Sequence, residues 1–299
     1  MAESDRNQQV VSGESGRARA VMITTVVGIL AVVGGNVLQS SGLSVGADEA
    51  EQLVDRTDAF DSILAGSIVS GIGFVLLGLT LLFLFTAVQK RNPAVASTLK
   101  PLVILGPALL LVSNVLTSIA YDSVASDFVA AGATSGDAAV ERAKDMISGS
   151  TGLQVGAFMG LAGVLAFAVG VIYTSLQAMR IGLQTRFWGT LGIAFGFAFL
   201  LSTFLGPIGL FGILIWFLQV GMQPGGRWPG GALPAWERGV AVPWPDTRSA
   251  PPPPSDQELA KPEDFEGTAN EVERPPAPAP EPEPGGSGQP RKRKRKQRG

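Results

Sequence analysis

A chain of 299 residues with a net charge of −2 and neither cysteine nor histidine excludes disulfides, thiolate or imidazole metal sites, Cys nucleophiles and His-based proton transfer. The near-neutral charge hides a segregation: almost every apolar residue falls between Val21 and Met222. Uninterrupted apolar runs of about 18 residues or more argue for membrane helices rather than a large soluble core.

Residues 1–19 are polar and read as a disordered cytoplasmic N-terminus, with Arg17 and Arg19 set against the first apolar run. Span 1, about 20–38, is long enough to cross a bilayer and lacks a small-residue cleavage end, so it reads as an uncleaved helix and not a signal peptide. An acidic connection, 39–61, leads to span 2 at about 62–88, which closes on Lys90 and Arg91. Asn92-Pro93 then breaks the helix. Span 3 at about 101–119, a second acidic connection at 120–151 and span 4 at about 152–176 follow. Within the two connections, 48–54 and 137–144 are rich in helix formers with acidic residues near their starts. They are expected as short helices that together make an acidic cap.

The run 187–226 carries no charge. At 1.5 Å per residue it is about twice the length one crossing needs. Gly206-Pro207 near its middle divides it into spans at about 187–205 and 208–222. Positive residues favour the cytoplasmic side. With the N-terminus inside, Arg17, Arg19, Lys90, Arg91, Lys100, Arg180 and Arg186 lie inside against Arg56, Arg142 and Lys144 outside. Trp188 and Trp216, both near the inner interface in this arrangement, agree with it. Gln219 and Gln223 are expected at the headgroups. The fold expected is an all-α integral membrane protein: a six-span helical bundle of three hairpins over 20–223, both termini cytoplasmic, with a disordered C-terminal tail.

The first two hairpins share landmarks. Asn36-Val37-Leu38-Gln39-Ser40 recurs 78 residues on as Asn114-Val115-Leu116-Thr117-Ser118, which reads as a parallel internal repeat. Asn36 and Asn114 are then equivalent amides near the outer rim. They either face a shared cavity or supply interhelical hydrogen bonds. Gly66/Ser70, Gly156/Gly160 and Gly192/Gly196 have the spacing that lets helix backbones approach. No ionisable residue lies well inside any span, which argues against proton-coupled pumps and most ion-coupled carriers. The acidic connections lack EF-hand spacing. With no nucleophile–base set and no nucleotide loop in a strand–helix context, neither enzyme activity nor a cofactor is expected.

After Met222 the composition changes. Residues 224–248 are rich in Pro and Gly, with Trp228, Trp236 and Trp244 at eight-residue intervals. These rings are expected either at the inner lipid interface or against the cytoplasmic helix ends, with docking of a cytoplasmic protein partner as the alternative. Residues 249–299 read as a disordered Pro-rich and acidic tail. It ends in Arg291, Lys292, Arg293, Lys294, Arg295 and Lys296, a cluster suited to anionic lipid headgroups. Without aromatic residues between the basic ones, specific nucleic-acid binding is not expected.

The stretch PGGRWPGGALPAW…GVAVPWP, followed by a Pro/acidic linker and a KR-rich end, resembles uncharacterised actinobacterial multi-pass membrane proteins with a Trp/Pro-rich cytoplasmic tail. The resemblance implies a bacterial plasma-membrane location and brings no activity with it. The Ala, Gly, Pro and Arg usage suits a GC-rich bacterial genome. The expected function is a non-enzymatic multi-pass membrane protein, a structural or interaction component with a cytoplasmic tail. The alternative is a small carrier or channel for an uncharged solute. A continuous polar file through the bundle favours the alternative; a dry, packed bundle favours the first.

Overall fold

The structure, a computed structural model, describes residues 2–202 and 207–244, which are helical with no strand among them. The helices are α1 (Ala2–Ser40), α2 (Glu49–Asp58), α3 (Phe60–Arg91), α4 (Lys100–Ala130), α5 (Asp137–Gly149), α6 (Thr151–Arg180), α7 (Arg186–Leu200), α8 (Pro207–Met222) and α9 (Pro234–Arg238). Among the described residues five helical segments are long and apolar enough to cross a membrane, in α1, α3, α4, α6 and α8, which is compatible with a membrane location. The expectation of six spans, the last hairpin the shortest, is met only in part. The 15 residues of α7 reach about 22 Å, short of the ~30 Å hydrocarbon core. The turn expected around Gly206 lies outside the described residues, and α8 starts at Pro207.

Helices α1 and α3 form one pair, α4 and α6 a second, α7 and α8 a third. The first is drawn together by glycines. A Cβ on Gly35 would lie 2.5 Å from the Ser70 nitrogen and 2.6 Å from the Gly66 oxygen, and one on Gly66 would lie 2.6 Å from the Gly35 oxygen. In the second pair, a Cβ on Gly106 would lie 2.6 Å from the Phe167 nitrogen. Such close approach supplies dispersion contacts that hold the pairs. Hydroxyls add to this. Thr25 and Thr80 share a hydrogen bond at 2.9 Å, Ser67 bonds Ser118, and Ser113 donates to the Gly156 carbonyl at 2.8 Å. The buried positions Thr25, Gly28, Val32 and Gly35 of α1 recur 78 residues on as buried Val103, Gly106, Leu110 and Ser113 of α4. The offset is the one that relates Asn36 to Asn114, so the two helices present their inner faces in the same register.

The two ends of the bundle differ. At one, the cap end, α2 and α5 pack on the extension of α4 beyond residue 119. Leu53, Ala125, Phe128 and Ala143 are fully buried there and form a second hydrophobic core. Its apolar residues recur on one face at helical spacing, which is why α4 runs on to Ala130 instead of ending near Ile119. Asp48 caps α2 by accepting from the Glu51 N–H at 2.9 Å, and Lys144 reaches Glu49 at 3.7 Å across α2 and α5.

At the other, the Trp end, the N-terminal residues depart from expectation. They are not a separate coil: α1 starts at Ala2 and includes them. Glu14, 4% exposed, accepts hydrogen bonds from both terminal nitrogens of Arg91, at 2.9 Å from Nη1 and 2.7 Å from Nη2. A charged helix end becomes stable there because its carboxylate is neutralised by a partner 77 positions away.

Candidate functional site

The expected amide pair lines a cavity at the cap end. It has a volume of about 330 Å³ and is bordered by Asn36, Gln39, Asn114, Thr117, Tyr121 and Arg56, with Ser40 and Ser118 nearby on the wall. Three repeat-related pairs, Asn36/Asn114, Gln39/Thr117 and Ser40/Ser118, therefore meet at one place. A second cavity of about 310 Å³ shares Asn36, Gln39 and Asn114 with the first and continues to Ser70, Phe74, Phe199 and Leu210. It lies nearer the middle of α3: Phe74 is 11 residues beyond Ile63 of the first cavity, or about 16 Å along the helix. Phe199 of α7 meets Phe74 at 6.1 Å, and α3 continues from there to Phe60.

The two amides are not equivalent in their bonds, and no hydrogen bond joins them among the described residues. Asn36 donates from Nδ2 to the Val32 carbonyl at 2.7 Å and to Ser70 Oγ at 3.2 Å, tying α1 to α3. The Asn114 side chain has no protein hydrogen-bond partner among the described residues. Asn36→Ala is expected to lower stability by about 1 kcal/mol, the range of interhelical hydrogen bonds in membranes, and Asn114→Ala to leave it within about 0.5 kcal/mol. Thermal denaturation of the two variants in one detergent compares them.

Arg56 reaches the cavity from α2. Its guanidinium lies 4.1 Å from the centre of the Tyr121 ring, and no carboxylate pairs with it among the described residues. Burial pulls its pKa down, opposed by Tyr121. The neighbouring Asp55 turns away and accepts from the Ser44 N–H at 2.8 Å. That bond holds its carboxyl below the usual carboxylate range, so it is ionised at neutral pH and fixes the α1–α2 connection.

Below the second cavity the bundle is filled by rings. Phe167 meets Phe74 at 6.1 Å, Phe199 at 5.9 Å and Phe217 at 5.6 Å. Polar groups resume on the far side. Ser175 Oγ and the Trp216 indole N–H both border Gly192 and are buried without a hydrogen-bond partner among the described residues. Trp216, expected at the interface, is fully buried. A glutamine ladder follows: Gln184 donates to Gln219 at 3.3 Å, Gln219 to Gln223 at 2.8 Å and Gln223 to the Gly231 carbonyl at 3.1 Å. Gln219 and Gln223, expected at lipid headgroups, are thus buried: Gln219 lies between Gln184 and Gln223, and Gln223 is tied to Gly231 of the segment that follows.

Those residues wrap the Trp end. Trp236 is buried, stacks on Phe83 at 6.0 Å and donates to the Leu183 carbonyl at 3.0 Å. Arg91 sits 5.2 Å over the same ring and donates from Nε to the Ala235 carbonyl at 3.1 Å. Trp228 meets Trp188 edge-on at 5.1 Å, and Trp244 donates to the Gln184 carbonyl at 3.0 Å. Of the three rings expected at the lipid interface or against the helix ends, Trp236 is packed against the protein, while Trp228 is half-buried and Trp244 partly exposed. Arg291, Lys292, Arg293, Lys294, Arg295 and Lys296 lie outside the described residues, as does the whole of 249–299.

Arg56, Glu14, Arg91 and Gln184 were not marked by sequence pattern. Gln219 and Gln223 carry a signal, being four apart on one helix face of a run without charge. Comparison with protein-family models, with curated proteins and with solved structures finds no match to this chain.

Proposed function

We propose that the chain is a non-enzymatic multi-pass protein of a bacterial plasma membrane, acting as a structural or interaction component. The bundle is the anchor and the tail is the cytoplasmic contact. Its six-span form has three hairpins, both termini inside and the cap end outside. The aromatic cluster of Phe74, Phe167, Phe199 and Phe217 carries the proposal. It fills the bundle between the cap-end cavities and the Trp end, as suits an anchor and not an open pore. The α7–α8 hairpin crosses by local thinning of the bilayer. In favour of its return, Gln184 before α7 bonds Gln219 near the end of α8. The basic residues 291–296 then face the anionic inner leaflet, and a cytoplasmic protein partner has 245–299 to engage.

Because the chain has no cysteine, single cysteines map its topology directly. Cysteines at Ser44 and Ser135 are expected to react with an impermeant maleimide on intact cells. Those at Asn92 and Ser287 should react only after permeabilisation. Labelling of Ser287→Cys from outside would replace six crossings with five and remove the cytoplasmic tail.

A carrier for a small solute is the second reading. It is favoured by the buried polar groups on the Trp side of the cluster, Ser175, Trp216 and the glutamine ladder, which continue the line of the cap-end cavities with only rings between.

A further inference from the structure

The cap-end cavities hold more hydrogen-bonding capacity than the protein uses. The side chains of Gln39, Asn114, Thr117 and Tyr121 all border the first cavity, and none has a protein hydrogen-bond partner among the described residues. Polar side chains normally spend their capacity on a partner or on water. Four unspent groups converging on one concave space are what a ligand site looks like before its ligand arrives.

The charge of the ligand follows from Arg56. The connection that carries it is acidic, with Asp48, Glu49, Glu51, Asp55, Asp58 and Asp61. Even so, no carboxylate pairs with Arg56 among the described residues, and none lines the cavity. Asp55, its neighbour in sequence, is engaged with Ser44 instead. The guanidinium is half-buried on the Tyr121 face, with its planar fork of donors unused. That geometry suits a carboxylate. An ammonium group would find no counter-charge on these walls, so cations and zwitterions are disfavoured. The rest of the ligand follows from the second cavity. It opens from the same amides, Asn36, Gln39 and Asn114, and is walled by Phe74, Phe199 and Leu210 together with Ser70 and Ser202.

We propose that the cap-end cavities bind a small amphipathic anion, a carboxylate held by Arg56 in the first cavity, with a short apolar part that extends past the amides toward the second. The side chains of Gln39, Asn114, Thr117 and Tyr121 around the first cavity supply the further hydrogen bonds to the carboxylate oxygens. The two spaces, about 330 and 310 Å³, are near the lower end of the range for small-molecule sites, which limits the ligand to a short chain. The site goes beyond the anchor reading and does not use the tail.

The test uses the full chain in nanodiscs, with tritiated hexanoate as probe and scintillation proximity as readout. Empty nanodiscs give the partitioning background. Displaceable binding is expected, with unlabelled hexanoate competing and hexylamine not. Arg56→Gln is expected to weaken it at least tenfold and Arg56→Lys to weaken it less, while both keep the unliganded thermal midpoint of the parent. Asn114→Leu, at a side chain without a hydrogen bond among the described residues, is the second variant and should also weaken binding. The proposal is overturned by no displaceable hexanoate at millimolar concentration, by equal competition from hexylamine, or by unchanged affinity in folded Arg56→Gln and Asn114→Leu. Stronger competition from hexyl phosphate than from hexanoate would overturn the assignment to a carboxylate. Removal of 247–299 is expected to leave binding unchanged, so failure of the tail's contacts and failure of this site are separate results.

Discussion

Replacing Arg91 with alanine is expected to cost about 3–5 kcal/mol and to release residues 224–244 from the Trp end. Arg91 is the joint of three segments. Its terminal nitrogens hold Glu14 of α1, its Nε holds the Ala235 carbonyl of α9, and its plane lies over Trp236. The Arg91 side chain is wholly buried and Glu14 nearly so. Deleting one partner therefore leaves the other charge buried and uncompensated, which is the costly case. Lys90, 3.9 Å from Glu14 but largely exposed, cannot take over the paired geometry. Removing both charges should cost less than the sum of the single changes: Glu14→Leu with Arg91→Met is expected to recover much of the loss, because the pair's attraction only offsets its own desolvation. Hydrogen exchange on the chain in detergent reads the local effect. Protection of 224–244 should fall in Arg91→Ala while that of α3 and α6 persists. Equal loss everywhere would show that Arg91 supports the whole bundle and not the strap.

What was legible in the sequence was whatever depends on local pattern. The apolar runs gave the long helices, Asn92-Pro93 a break after α3, and the helix formers at 48–54 and 137–144 became α2 and α5. The Asn36/Asn114 spacing pointed to the place where the cap-end cavities lie, since a 78-residue offset in polar landmarks survives even where the intervening leucines carry no information. What was not legible depends on partners distant in sequence. Nothing near Glu14 announces Arg91, and a polar N-terminal segment therefore looked like coil. Trp236 was expected either at lipid or against the helix ends, since an amphipathic ring suits both; the choice is made by Phe83 and the Leu183 carbonyl, far back in the chain, which supply its apolar face and its acceptor. Arg56 was counted as one positive charge on an outer loop. Its meaning comes from the carboxylates that do not reach it, which only the folding of α2 over Tyr121 decides.

Phe167→Ala is expected to lower stability by about 3 kcal/mol and to make the bundle leak. The ring is fully buried against three others, and core Phe→Ala changes in water cost about 3–5 kcal/mol. Lipid removes part of the transfer contribution, since tails are as apolar as the core; the lost contacts and the cavity remain. How far the cavity closes depends on whether neighbours can move in. Here α4 cannot, because Gly106 already brings its backbone against that of Phe167. The void should then persist and join the space bordered by Phe74 and Phe199 to the buried groups at Ser175 and Trp216. Proteoliposome swelling in glycerol measures this. If the bundle is a sealed anchor, the parent is tight, Phe167→Ala admits glycerol, and Phe167→Leu, which keeps most of the volume, is nearly tight again. If the bundle is a carrier, the parent already admits glycerol, slowly and with saturation, and Phe167→Ala removes the saturation. A parent and a folded Phe167→Ala that are both tight would show that the barrier lies elsewhere. The strap that covers Gln223 and holds Trp236 would then be the closure, and Arg91→Ala, which releases it, the variant to leak.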